Sequence, residues 1–492
     1  MQLVEPGHPG TDHDGIEPLP RVGVGRRGHR GFVVHRGVVV HRRVPPSDAV
    51  VAVAPNLPPY SHGRPQTPYA AVMAPPAAPP VRAGAPVRLR DTMFPLLWIN
   101  GFSFLLISTA ERFTFVWLVI ETLDGPPWAS GAVLFSLGLP VFLLVLPAGA
   151  LADRVDRRRL LMSTQFAGAA VTLLSAILVW ADLMTVPMAL VPALLLGSAM
   201  AFGMPIRSSL VPAVVPPELL MRAIVTNTVG SNVAMIIGPV IGGAAIRRWG
   251  VGAAFAIEAG LFTVGFLALL PLRLAARDTP PSDAAIGHTR NLLASIRVGL
   301  AFVWQQPALR TLFFLLSVGG FLMMGSASLL LPQIAREVFG RDAAESSRLF
   351  AFMGAGMMVS SLFLIAKRDV KRKGLIFMLA MVSGSVCQLF QGIAPSYTVL
   401  AMLLVWWGLS GGWFMNLNQT LIQRATPADK MGRVMSLAVL ANAGLAPLGS
   451  LAAGAVASTG LGPQHTHGLF GAVGVAFVVT ALVRSRALRQ LT

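Results

Sequence analysis

From Phe94 onward the chain repeats one pattern, an apolar run of about 20 residues followed by a short polar break. The runs fall at 94–120, 127–147, 159–181, 186–205, 223–246, 251–272, 309–331, 348–366, 374–393, 397–415, 434–457 and 466–484. Each is long enough to cross a bilayer, so the pattern predicts an all-α membrane protein with twelve transmembrane helices. The longest interior polar break, Arg273 to Arg310, divides the spans six and six. The expected domains are a tail (1–92), an N-terminal six-helix bundle (93–272), a cytoplasmic linker (273–308) and a C-terminal six-helix bundle (309–492). Within the linker, Leu292, Leu293, Ile296, Leu300 and Val303 share one helical face, as in a helix lying on the membrane surface.

The two halves echo each other. Val215 to Arg222 (VPPELLMR) and Thr426 to Arg433 (TPADKMGR) each place an acid two residues after proline and an arginine four later, at an offset of 211 residues. Asp153 has a counterpart in Asp369, offset by 216, although no glycine stands four residues before it. Two such pairs at nearly one offset predict a duplicated, pseudo-symmetric six-helix unit.

Composition agrees with the spans: 54% of residues are hydrophobic and 12% charged. A net charge of +18 in a soluble chain would point to nucleic acid, but here the location of the charge matters more. With loops assigned alternately, 22 Lys and Arg fall on one side and 5 on the other; 11 lie in the tail, and Arg112 completes the total of 39. The asymmetry orients both termini to the cytoplasm, and Trp128, Trp180 and Trp249 then stand at outer span ends. Nucleic acid is not expected as a partner; the lipid bilayer is.

The tail holds 16 of the 37 prolines and no useful helical or strand periodicity, so it reads as disordered. It lacks the ordered features of a signal peptide. A basic segment touching anionic lipid and an unstructured extension, with Met73 as an alternative start, are the two readings; the second is favoured. The single cysteine, Cys387, excludes an internal disulfide or a thiolate metal site. Six of the nine histidines are in the tail and the others are placed in loops or at a span edge, which argues against an intramembrane histidine relay. Neither a nucleotide-binding loop nor paired acids at metal spacing is found, so an enzyme, a cofactor and a metal are not expected.

The densest charged signal among the spans is Gly149 to Leu161, GALADRVDRRRLL. Gly149 permits close helix approach, and Asp153 is an acid at a membrane face among Arg154, Arg157, Arg158 and Arg159. This loop resembles the signature between helices 2 and 3 of the major facilitator superfamily, with Asp156 where many members carry glycine. That form is most similar to the drug:proton antiporter subfamily of macrolide efflux pumps and siderophore exporters. The resemblance implies a gating loop at Gly149, Asp153, Arg154, Arg157 and Arg158. In span 5, Gly238, Pro239, Gly242 and Gly243 (GPVIGG) resemble the antiporter motif of exporters, with Ala234 at one of the earlier glycine positions. A close-packed helix pair without directional meaning explains the same residues. Span 11 carries the related Ala446 to Gly449, and Ile296 to Arg310 and Leu421 to Leu437 extend the resemblance over most of 94–484.

Glu111, Arg112 and Glu258 are the charged residues placed well inside the spans, where a charge costs several kcal/mol unless paired or wetted. Asn100, Ser103, Ile107, Glu111, Thr114 and Trp117 recur along one side of span 1. In the superfamily spans 1, 4, 7 and 10 line the central cavity, so the resemblance turns this stripe toward substrate. Glu111 is the first candidate proton carrier, with Arg112 and Asp153 as coupling partners; a static Glu111–Arg112 pair pinning helices is the other reading. Glu258 reads as structural. The other presumed cavity helices offer Met200 and Met204, Met323 and Met324, then Trp406, Trp407, Trp413, Phe414 and Asn416. Such surfaces accept bulky amphiphiles, and the same residues also serve as ordinary packing.

The sequence therefore predicts a monomeric secondary transporter, proton-coupled and exporting lipophilic or amphiphilic small molecules by alternating access. An importer of the same fold and a non-transporting membrane sensor or scaffold are the alternatives.

Overall fold

The computed structural model describes residues 33–35, 38–40, 88–152, 155–272, 292–367, 371–427 and 430–490, with backbone alone at 33–35, 38–40, 145–152, 204–205, 208–209, 292–296 and 365. The chain divides into Met1–Arg82 and Ala83–Thr492. In the first unit a short antiparallel ladder pairs β1 (Val33–His35) with β2 (Val38–Val40), Val33 opposite Val40. Valines, which favour extended backbone, cluster there.

The second unit is helical. In its first half α1 (Phe94–Trp117) runs on through a wider turn, Leu118–Thr122; α2 (Pro127–Ala152), α3 (Arg157–Trp180), α4 (Val186–Val214) and α5 (Leu220–Leu269) follow. Next come α6 (Leu292–Gln305), α7 (Pro307–Val318), α8 (Ser326–Gln333), α9 (Ala343–Ala366), α10 (Lys373–Gln391) and α11 (Tyr397–Ala425). The chain closes with α12 (Met431–Asn442), α13 (Ala446–Val456), α14 (Gly462–Arg484) and the short α15 (Arg486–Arg489).

Among the described residues ten helical stretches are long and apolar enough to cross a membrane, against twelve spans read from the sequence. Two of the ten, Pro217–Leu269 and Met431–Arg484, have 53 and 54 residues, more than twice what one crossing needs. Each contains glycine off the helical path: Gly250 at φ 82°, ψ 173°, and Gly460 at φ 92°. The connections are so short that helix continues on both sides of them.

Gly250 occupies backbone space that side chains rarely enter, and a Cβ there would meet nothing within 4 Å. Gly250→Ala is therefore expected to destabilise the fold by backbone strain alone, by about 1–3 kcal/mol, read as a lower melting temperature in detergent. An unchanged melting temperature would mean that the turn relaxes.

α1 packs along α5, α2 along α4, and α3 along α5; in the second half α9 packs along α11 and α10 along α14. The two sets meet where α2 lies on α13 and α5 on α9. Small residues allow these approaches. A Cβ on Gly131 would stand 2.9 Å from the Ser450 carbonyl oxygen, and one on Gly454 would stand 2.6 Å from that of Pro127.

Candidate functional site

The charged loop is built from helix ends. Asp156 caps α3 by accepting from the backbone N–H groups of Arg158 (2.8 Å) and Arg159 (3.2 Å), which gives the acid at this position a structural use. Arg158 reaches across to the end of α5, donating Nε to the Leu269 carbonyl (2.9 Å) and Nη2 to that of Leu270 (2.6 Å). The Leu269 carbonyl also accepts from the Leu272 N–H (3.2 Å) in the closing turn, and a cation suits the negative end of the helix dipole. Gly149 lies in the last turn of α2 and Arg157 begins α3. Asp153 and Arg154 lie outside the described residues, as does Asp369.

The polar stripe of α1 is buried, and it turns into the first half instead of toward an open cavity. Asn100, Ile107, Glu111, Thr114 and Trp117 are all 0% exposed. Asn100 donates Nδ2 to the Gly265 carbonyl of α5 (3.0 Å), and Thr114 donates to Glu258 Oε1 (2.8 Å). Ser103 is also buried. Lipid and protein interior are equally apolar, so helical phase alone did not fix which side of α1 looks outward.

Glu111 and Glu258 belong to one buried cluster. Both oxygens of Glu111 and Oε2 of Glu258 have no hydrogen-bond partner, and each acid stands where an unpaired charge costs several kcal/mol. Glu258 acts electrostatically on Glu111, as does Arg112. Among the described residues no ion pair within 4 Å joins Glu111 to Arg112, although the two act on each other electrostatically. Glu258, read as structural, is the partner that spacing could not reveal because its companion Thr114 comes from another helix.

Arg207 also escaped the sequence reading, which ended span 4 at residue 205 and counted this residue in a loop. In the structure α4 continues to Val214 and carries it inward. Its Nε donates to Asn100 Oδ1 (2.8 Å), its guanidinium carbon lies 3.7 Å from the Phe104 ring centroid, and both terminal nitrogens lack partners. A cavity of about 190 Å³ adjoins it, lined among others by Trp98, Gly101, Leu105 and Asn227.

The span 5 motif divides its labour. Gly238 faces Leu106 and Thr109 of α1, Gly242 faces Ala110 and Thr114, and Gly243 faces Ala343 and Ser347 of α9. Pro239 is buried inside the helix. The polar ties between the halves gather at the end of the molecule away from the charged loop. Arg336 pairs with Glu121 (3.3 Å), Arg247 with Asp342 (3.3 Å), and the Trp128 N–H donates to Ser458 (3.0 Å). Trp117 Nε1 also donates to Glu121.

The remaining cavity candidates scatter. Trp407 is 7% exposed, Trp413 packs on Phe363, Met324 is exposed, and Asn416 donates to Ser361 and to the Gly412 carbonyl. The Met204 side chain lies outside the described residues. None of the named candidates lines the cavity beside Arg207 or a larger one of about 1090 Å³ among α6, α7, α12 and α14. That larger space is walled by Trp304, Phe314 and Phe477 and has Arg310 and Arg484 in its lining, so it is an apolar recess around the amphipathic helix. In α14, His467 is 0% exposed and bonds Gln391 Oε1 (2.9 Å), correcting its placement at a span edge. Helix starts at Gly462, four residues earlier than the hydropathy of GPQHTHG indicates.

A bundle of apolar helices with buried acids, glycine-packed crossings and ties at one end defines a multi-pass membrane protein. The profile of the Major Facilitator Superfamily matches residues 97–450, and the chain belongs to that superfamily. It is 26% identical over 343 residues to the enterobactin exporter EntS of Shigella flexneri, covering 68% of this chain and 79% of that one. It is 27% identical over 357 residues to the multidrug efflux pump Tap of Mycolicibacterium fortuitum, covering 70% and 84%. Its fold is similar to the crystal structure of the peptide transporter POT in complex with sulfate (TM-score 0.63, 15% identity, 81% of this chain and 95% of that one). The nucleoside transporter NupG is similar too (TM-score 0.61, 14% identity, 80% and 100%). Both curated relatives are efflux transporters, and the chain is a transporter and not an enzyme.

Proposed function

We propose that this chain is a proton-coupled exporter of lipophilic or amphiphilic small molecules, working by alternating access as a monomer in the cell membrane. In this reading Pro217–Leu269 and Met431–Arg484 each cross twice, with Gly250 and Gly460 at outer turns, which makes twelve crossings in two six-helix halves. The short charged loops and both termini then face the cytoplasm.

The observation that carries the proposal is Glu111, a carboxyl wholly buried and unpartnered on α1. α1 lies against α5, and the outer part of α5 holds the second half through Gly243 and Arg247. A proton arriving at or leaving the Glu111–Glu258 cluster changes the charge between α1 and α5, and so biases the outer contact. The similarity to EntS and Tap supports the outward direction. The test is accumulation of a lipophilic dye in inverted vesicles under an imposed pH gradient. Accumulation that collapses with a protonophore is expected; uptake indifferent to the gradient would remove proton coupling.

A further inference from the structure

On α1 and α5 the membrane-spanning charges are sorted by sign. The acids Glu111 and Glu258 are buried against other helices, at 0% and 2% exposure. Arg112 is exposed, although the α1 stretch that carries it is 78% buried over its apolar window. A guanidinium facing hydrocarbon at that depth costs several kcal/mol, so Arg112 calls for a polar or anionic companion there. Among the described residues no carboxylate forms an ion pair with it.

Helical geometry connects Arg112 to the second cation. Trp98, Leu105 and Arg112 are seven residues apart in succession and share one face of α1, with about 10 Å from Leu105 to Arg112. Trp98 and Leu105 line the 190 Å³ cavity that Arg207 also lines. Arg207 brings two terminal nitrogens without partners, a fork suited to carboxylate or phosphate, while Trp98 and Phe102 stack at 5.0 Å as one flat apolar wall.

We propose that this face of α1, with Arg207 from α4, is an electropositive binding path, and that its cargo is an anionic amphiphile with a carboxylate beside an aromatic or aliphatic body. The assignment rests on the exporter reading and narrows its substrate class. The carboxylate pairs with Arg207, whose two terminal nitrogens have no partner, and the apolar body lies along Trp98 and Leu105. A neutral isostere would leave the cation unpaired, which is the basis of discrimination.

The test uses the full chain in nanodiscs of zwitterionic lipid, with 2-naphthoate and its neutral isostere 2-naphthamide titrated against tryptophan fluorescence. Naphthoate is expected to bind roughly tenfold or more tightly than the amide, with that preference abolished in Arg112→Gln and Arg207→Gln and partly kept in Arg112→Lys. Equal affinity for both probes, or a preference untouched by either glutamine variant, overturns the proposal. Loss of naphthoate binding when phosphatidylglycerol is added assigns the path to a lipid headgroup and also overturns it. Glu111→Gln separates the two readings, since it is expected to retain naphthoate binding. Binding that fails while the wild type still accumulates a cationic dye removes the anion path alone. Intact binding without gradient-driven accumulation of any probe removes the exporter alone.

Discussion

Replacing Glu111 with glutamine is expected to abolish proton-driven accumulation in inverted vesicles, down to the level of protein-free vesicles, while the helices stay folded. Glutamine keeps the shape of the side chain and removes its exchangeable charge. Both carboxyl oxygens already lack partners, so no hydrogen bond is lost by the change. Substrate exchange down its own gradient is expected to persist, because rocking of the two halves needs no titratable group once the site is permanently neutral. Glu258→Gln is expected to give a smaller defect, since Thr114 can donate to an amide oxygen as it does to Oε1. Wild-type accumulation in Glu111→Gln would move coupling elsewhere, and loss of exchange as well as accumulation would mark the residue as structural.

The second large effect is expected at Gly243. A Cβ there would lie 2.5 Å from the Ala343 carbonyl oxygen, on the line where α5 meets α9. Gly243→Val overfills a contact between the halves, at a cost of about 1–3 kcal/mol. Under the alternating-access proposal that contact exists only when the outer end is shut, so the cost is expected to fall on one member of the transport cycle and to shift the balance by roughly 5- to 150-fold. Disulfide formation between Arg247→Cys and Asp342→Cys is expected to slow accordingly, and transport to fail with it. Gly238→Val is the contrast. Its Cβ would meet α1 within one half, 2.8 Å from the Leu106 carbonyl, so the penalty there is a lower melting temperature with no preference between conformations. Equal crosslinking in the Gly243 variant and the wild type would contradict this division.

The comparison of sequence and structure follows the physics of a membrane solvent. Spans and their order were legible because about 20 apolar residues per crossing is a constraint of the bilayer itself. Helix ends were less so: α4 runs nine residues past 205, since helix continues into the polar interface, and Arg207 was hidden by that boundary. Orientation of α1 was not legible. The side of a helix facing lipid and the side facing its neighbours are both apolar, so the buried stripe through Asn100 and Glu111 looked like a cavity wall. The partnership of Glu258 with Thr114, 144 positions apart, depends on how α1 and α5 cross, which local spacing does not encode. Sequence resemblance located the packing glycines, and the structure assigned each to a neighbour.

Cys387 has a practical consequence. It is the single thiol in the chain, 0% exposed, and donates to the Leu403 carbonyl at 2.9 Å. Its burial is expected to keep water-borne maleimides from it, so the chain is expected to behave as a thiol-free background. A cysteine introduced at Asp153, or at Asp342, would report by itself which aqueous compartment it meets.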